Sequence, residues 1–327
     1  MISTIFAFIH SAIIQGTPLL FGSTGEIVTE KSGNLNLGIP GIMYVGGISG
    51  IIGGYLYEHY CSEPNVALCV LIPFLSCIVG SALMALIYSF LTITLRVNQN
   101  VTGLALTTFG IGIGNFFGGS LLKFFGESGS ISLMKCGAAF KASLPFANKL
   151  GIFGETFLSF GFMVYLSIII AFVASFVLNK TRVGLNLRAV GENPATADSA
   201  GINVTKYKYL ATCIGAAIAG LGGLYFVMDY TGGAWTNNGF GDRGWLAIAI
   251  VIFAIWRPKM SILSSYLFGG LYILCVYIPG LSSSAKELIN MLPYVVTVIV
   301  LIFISIQKKR ENLPPQSLGL SYFREDR

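Results

Sequence analysis

Along this chain apolar and polar positions fall into long blocks, with no sustained alternation of the kind a strand requires. Uncharged apolar stretches long enough to cross a hydrocarbon layer of ~30 Å occur at 1–25, 32–57, 66–95, 101–122, 156–179, 209–228, 260–285 and 288–307. A further stretch at 244–256 is too short for a full crossing and predicts half a span or a tilted one. The pattern predicts an all-α, polytopic transmembrane bundle of about 8–10 spans over 1–310, followed by a tail at 311–327. Pro73, early in its run, predicts a kink whose freed carbonyl a neighbour satisfies.

Two spans carry glycine at four-residue spacing: Gly46, Gly50 and Gly54 in one, Gly110, Gly114 and Gly118 in the other. Such stripes let helices approach closely, within one subunit or between subunits. The polar breaks are equally informative. GLNLRAVGENPATADSAGI, residues 184–202, separates two long apolar runs and holds helix signals of its own. Asn193 suits a cap, Pro194 the first helical position and Gly201 the stop, so a helix over 194–200 is expected. It is too short to span a bilayer, and its composition offers no core to join. GEIVTEKSGNLNLGIPG, 25–41, reads as a break between spans, with a polar re-entrant piece as the sharper alternative. DYTGGAWTNNGFGDRGW, 229–245, reads as irregular backbone at an outer mouth or as a surface loop, with Trp235 and Trp245 at the interface.

Composition confirms the class. Of 327 residues 54% are hydrophobic and 10% charged, with a mean hydropathy of +0.76, whereas soluble domains carry about 25% charged residues. The net charge of +6 does not point to nucleic acid, because Lys308, Lys309 and Arg310 directly follow an apolar run and suit a cytoplasmic anchor beside anionic lipid. With the C-terminal tail inside, most basic residues fall on the cytoplasmic side, and nine spans put the N-terminus outside. Lys123, Lys135, Lys141 and Lys149, in the long loop 123–155, run against that orientation. The N-terminus lacks basic residues before its apolar stretch, so a first span is expected there and not a cleaved signal.

Six cysteines form no CxxC pair and most lie in apolar runs, while His10 and His59 are far apart, so no metal site is expected. There is no GxxxxGK[ST], no HExxH, no serine elbow and no carboxylate pair at catalytic spacing, which argues against an enzyme. Glu26, Glu30, Asp229, Asp242 and Glu287 sit near span ends, leaving no obvious ionisable group for ion coupling. Uncharged polar residues do occur: Gln99, Asn100, Thr102, Thr107 and Thr108 begin the fourth span, with Asn115 farther along. They suit the lining of a pathway for a neutral polar solute or, alternatively, hydrogen bonding between helices. Phe109, Phe116 and Phe117 in the same span can stack on a planar ligand or pack.

Segments 25–43, 98–112 and 184–202 together resemble the permease subunits of ABC importers of the branched-chain amino acid and simple sugar class. GFGDRGWLAIAIVIFAIWRP, 239–258, resembles the nucleoside and simple-sugar branch. The resemblance runs from residue 20 to 310 and leaves the loop 123–155 and the tail unmatched. It implies a non-enzymatic, cofactor-free subunit of the cell membrane working by alternating access. The implied partners are an ATP-binding subunit, a second homologous permease subunit and an extracytoplasmic solute-binding protein. It also implies a role for the short helix: docking in a groove of the ATP-binding subunit, through Arg188, Gly191, Glu192, Asn193, Pro194, Ala197, Asp198 and Gly201. The expected pathway residues are Gln99, Asn100, Thr107, Phe109, Asn115 and Trp235. The expected solute is a nucleoside, then a simple sugar or riboflavin; the alternative is an ion-coupled secondary transporter.

Overall fold

A computed structural model describes residues 2–61, 63–126, 129–142, 151–280, 282–307 and 313–323. Its helices are α1 (Ile2–Glu30), α2 (Ile39–Tyr60), α3 (Val66–Ser89), α4 (Gln99–Phe124), α5 (Met134–Phe140), α6 (Gly151–Phe157) and α7 (Phe162–Lys180). They are followed by α8 (Arg182–Glu192), α9 (Pro194–Ser199), α10 (Val204–Tyr225), α11 (Arg243–Phe253), α12 (Pro258–Tyr277), α13 (Ser283–Asn290) and α14 (Leu292–Gln307). A five-residue π turn ends both α3 (Phe90–Thr94) and α10 (Phe226–Tyr230). Among the described residues eight helices are long and apolar enough to cross a membrane, and the only extended pairing is an isolated bridge between Ser132 and Ala234. The expected all-α polytopic bundle is therefore present. α11 has 11 residues, so the short apolar run forms a short helix.

The centre is built from α1, α2 and α10, whose apolar and small residues are mostly buried; α3, α4, α7 and α12 surround them, and α14 packs outside on α11 and α12. The glycine stripe of α2 serves this packing. A Cβ on Gly46 would lie 2.6 Å from the Gly220 backbone, and one on Gly50 would strike Leu224. The stripe of α4 behaves likewise: Gly110 abuts Gly41, while Gly114 and Gly118 face Trp235. Both stripes therefore close contacts within this chain. The outer helices turn large apolar side chains outward, among them Leu71, Leu75 and Val79 on α3 and Phe172, Val173 and Phe176 on α7. That is the surface expected against hydrocarbon.

One boundary differs from the sequence expectation. Residues 25–30 continue α1 as helix where a break was expected, so the irregular backbone is confined to 31–38. The helix tolerates two carboxylates at its buried C-terminal end because each has a partner. Glu26 Oε1 accepts the Asn36 amide at 3.0 Å, and Glu30 Oε2 accepts the Trp256 indole N–H. The connection itself is buried, from Ser32 to Ile39 with few half-exposed positions, and takes its hydrogen bonds from four different helices. Gln99 Oε1 accepts the Leu35 amide at 2.7 Å, the Tyr88 hydroxyl donates to the Leu35 carbonyl, and Thr107 Oγ1 donates to the Leu37 carbonyl at 2.7 Å. Asn34 Nδ2 donates to Thr212 Oγ1 at 3.0 Å.

A buried amide left without its acceptor costs about 1–3 kcal/mol. Gln99→Leu orphans the Leu35 N–H and should lower stability in detergent by that amount. Its exposed neighbour, in Asn100→Leu, should shift it by no more than about 0.5 kcal/mol. Thermal unfolding of both variants checks this; equal midpoints would remove Gln99 from its place in the fold.

Candidate coupling and translocation site

The 184–202 segment forms two helices where one was expected. Thr181 caps α8 by accepting the Gly184 amide at 3.1 Å, and Asn193 caps α9 by accepting the Thr196 amide at 3.0 Å. Pro194 occupies the first helical position of α9, and Gly201 follows it with φ of +81°, as its stop signal predicts. α9 is not without a core. Ala197 is 3% exposed and packs with Val190 of α8 and Val204 of α10, flanked by Ile202, Tyr207 and Tyr322. The expectation of a coreless helix fails because the turn at 200–203 folds α9 back onto the flanking helices. The opposite face stays open: Glu192, Asn193, Thr196 and Ser199 are exposed, as are Val183 and Leu185 on α8.

Two further segments hold this unit in place. Gly191 lies against residue 31, where a Cβ would come within 2.3 Å of the Lys31 carbonyl oxygen. The C-terminal tail then ties the parts together. The Ser317 amide and hydroxyl both donate to the Gly191 carbonyl (3.0 and 2.6 Å), and the Gly319 amide donates to the Gly33 carbonyl at 3.1 Å. Tyr322 Oη donates to Asp198 Oδ2 at 2.8 Å, and the Arg96 guanidinium stacks on Phe323 at 4.6 Å. Ser317 and Tyr322 were missed by the sequence reading, since a short polar tail after an apolar run carries no local signal of where it docks. Lys308, Lys309 and Arg310, the expected lipid anchor, lie outside the described residues, as does Lys149.

The six expected pathway residues are not gathered on one surface. Gln99 and Thr107 are buried and bonded to the 31–38 connection, with Gln99 Nε2 also facing the Leu320 carbonyl at 3.4 Å. Asn100 and Phe109 are exposed on the outer face of α4. Asn115 is paired with Asn238 through two hydrogen bonds of 2.9 and 3.2 Å. Trp235 is 7% exposed, against Tyr44 and Phe240, and donates to Asn237 at 2.9 Å. It is therefore not at the interface; the glycine stripe of α4 leaves room for its ring. Near it lies Arg243, 6% exposed, with its guanidinium stacked between Phe226 (4.8 Å) and Tyr272 (4.7 Å) and donating to Gln15 at 2.9 Å. This aromatic and amide seat for a buried cation brings together positions 15, 226, 243 and 272, which no single motif could have revealed.

A family model described as the permease component of branched-chain amino acid transport systems matches residues 8–304. The chain belongs to that family. It is 29% identical to a nucleoside ABC transporter permease of Lactococcus lactis, over 99% of both chains. It is 31% identical to a provisionally named glucose ABC transporter permease of Haloferax volcanii, over 97% of both. A guanosine ABC transporter permease of Bacillus subtilis is 26% identical over 90% of both. The protein is thus a multi-pass membrane permease of the ABC transporter type and not an enzyme.

The tail's role in the site is testable. Tyr322→Phe removes one hydrogen bond to α9, worth about 0.5–1.5 kcal/mol, and should raise amide exchange at 194–199 while leaving α10 protected. Gly191→Ala forces a methyl against the Lys31 carbonyl and should destabilise by about 1–3 kcal/mol. Unchanged exchange in the first variant and an unchanged unfolding midpoint in the second would mean that the α8–α9 unit is held by other contacts.

Proposed function

We propose that this chain forms the translocation pathway of an importer for nucleosides, driven by a partner ATP-binding subunit, with α9 and its flanking residues as the docking element. The observation that carries the reading is the family match over nearly the whole chain together with α9, a capped helix that exposes one polar face beside the apolar Val183 and Leu185. Two of the relatives named above transport nucleosides by name, and this selects nucleosides over sugars or riboflavin. The remaining partners are a second homologous permease subunit and an extracytoplasmic solute-binding protein. α8, α9 and the tail, with the C-terminus, lie on the cytoplasmic side.

In this reading Arg188, Gly191, Glu192, Asn193, Pro194, Ala197, Asp198 and Gly201 divide by task. Asn193, Pro194 and Gly201 set the limits of the helix, and Gly191, Ala197 and Asp198 hold it to the bundle. Glu192 and Arg188 supply charge at the docking edge. The pathway wall comes from the outer face of α4, where Asn100, Leu104, Thr108, Gly112 and Phe116 are exposed at four-residue spacing. That row interleaves Asn100, Thr108 and Gly112 with the apolar Leu104 and Phe116, whereas the outward rows of α3 and α7 are apolar throughout. Phe109 stands beside it, while Asn115 and Trp235 brace the outer end. Facing a second subunit, it lines a path for a solute that is polar, neutral and planar.

Ala197→Pro breaks the middle of α9 at a cost of about 3 kcal/mol and should abolish nucleoside uptake together with retention of the ATP-binding subunit, at normal membrane levels. Glu192→Lys leaves the helix intact and should weaken both partially, more so at low salt. Uptake assays in cells and co-purification read both outcomes. Normal uptake by Ala197→Pro would refute the docking role, and ion-gradient-driven uptake by the chain alone in liposomes would refute the ABC mechanism.

A further inference from the structure

Beside the α8–α9 unit, the ends of α1, α7 and α8 and the start of α12 enclose a cavity of about 670 Å³. Five basic residues line it: Lys31, Lys180, Arg188, Arg257 and Lys259. No carboxylate is among the lining residues. Its floor is apolar, formed by Leu178, Trp256 and Pro258 among others. Burial, with smaller contributions from Arg188 and Arg257, pushes the Lys31 ammonium below its ordinary value, and the nearby Glu192 and Glu30 oppose the shift. Arg188 adds a specific unmet need, since its Nε is buried without a hydrogen-bond partner. The first turn of α12, a 20-residue helix, also opens here and brings its positive dipole end to the same space.

The surface continuing from the cavity is of a different kind. From Lys180 at the rim, α7 carries Phe176 and Phe172 at four-residue spacing, 62% and 50% exposed. From Lys259, α12 carries Leu263 and Leu267 at the same spacing, 66% and 43% exposed. The Lys259 ammonium lies over the Phe172 ring at 5.8 Å and so joins the two rows. Cations at one end and two outward apolar rows at the other match the two parts of an anionic phospholipid.

We infer that this cavity binds the phosphate headgroup of an anionic phospholipid, whose acyl chains run along the exposed rows of α7 and α12. A soluble phosphate would use the cations and leave the rows unused; a zwitterionic lipid would set its own cation against five others. The site is additional to transport, and the inference does not depend on which solute the permease carries. Its occupancy fixes Arg188 and Lys31, and through them the contact between residue 31 and Gly191.

The test is a titration of the delipidated full-length chain in detergent with short-chain phosphatidylglycerol, reading the fraction carrying one lipid by native mass spectrometry. Phosphatidylcholine and inorganic phosphate are the other two arms. One-to-one binding of phosphatidylglycerol is expected, with phosphatidylcholine much weaker. Removing Lys180 and Lys259 as K180Q/K259Q should weaken it by about fivefold for each charge, without changing the unfolding midpoint. Removing two lysines elsewhere, as K123Q/K286Q, should leave affinity unchanged. Equal affinity in K180Q/K259Q, equal binding of phosphatidylcholine, or an equal loss in K123Q/K286Q overturns the site. Displacement of the lipid by inorganic phosphate at comparable concentration overturns the lipid assignment in favour of a soluble anion. All arms are read without transport, so failure of the importer reading leaves them interpretable.

Discussion

The chain leaves helical geometry at residues 31–38 while still inside the bundle, and every peptide group there must find a partner without bulk water. Helices close their own backbone bonds; this connection cannot. The solution recruits Glu26 from α1, Tyr88 from α3, Gln99 and Thr107 from α4, and a side-chain bridge from Asn34 to Thr212 of α10. Because these partners come from four different helices, satisfying the loop fixes those helices relative to one another. Apolar packing alone lets helices slide along one another at little cost, since lipid is as apolar as their side chains. Directional bonds to a fixed loop do not.

The same loop is the meeting point for the α8–α9 unit. Residue 31 touches Gly191 on one side, and Gly33 receives the tail on the other. The contacts made there are backbone to backbone or through the short Ser317 hydroxyl, so little side-chain freedom is available to absorb a displacement. A shift of α9 would reach the loop through Gly191 and the tail. From the loop it would bear on α1, α3, α4 and α10 together, through a contiguous chain of bonds. That arrangement suits an element pushed from outside, and it gives the C-terminal tail a mechanical place that its composition does not suggest.

How much of this could be read from residues alone follows from range. Spans, the short apolar helix at 243–253 and the caps of α9 depend on neighbours in sequence, and each was legible. The break expected over 25–41 began too early because two glutamates near a glycine look like a loop, while their partners, Asn36 and Trp256, lie 10 and 226 residues away. Ala197 looked solvent-exposed for the same reason: Val190 and Val204 become its neighbours only once α8 and α10 are folded around it. Polar residues of α4 could be placed on a helix but not on a face. Whether Gln99 meets a solute or a peptide group is decided by Leu35, which no periodicity predicts.

α4 shows what that distinction implies for transport. Its 26 residues present three surfaces with different obligations. Gln99 and Thr107 are already bonded to the connection, and the glycines at 110, 114 and 118 are occupied by Gly41 and Trp235. What remains open is the row of Asn100, Leu104, Thr108, Gly112 and Phe116, part polar and part apolar, and one row of one helix cannot enclose a solute. A sealed path needs an opposing wall, and within this chain the other outward surfaces of α3, α7 and α14 are apolar and suited to lipid. The second permease subunit proposed above would supply that wall by facing the open row of α4, and the proposal therefore rests on this outward row and not on a cavity inside the single chain.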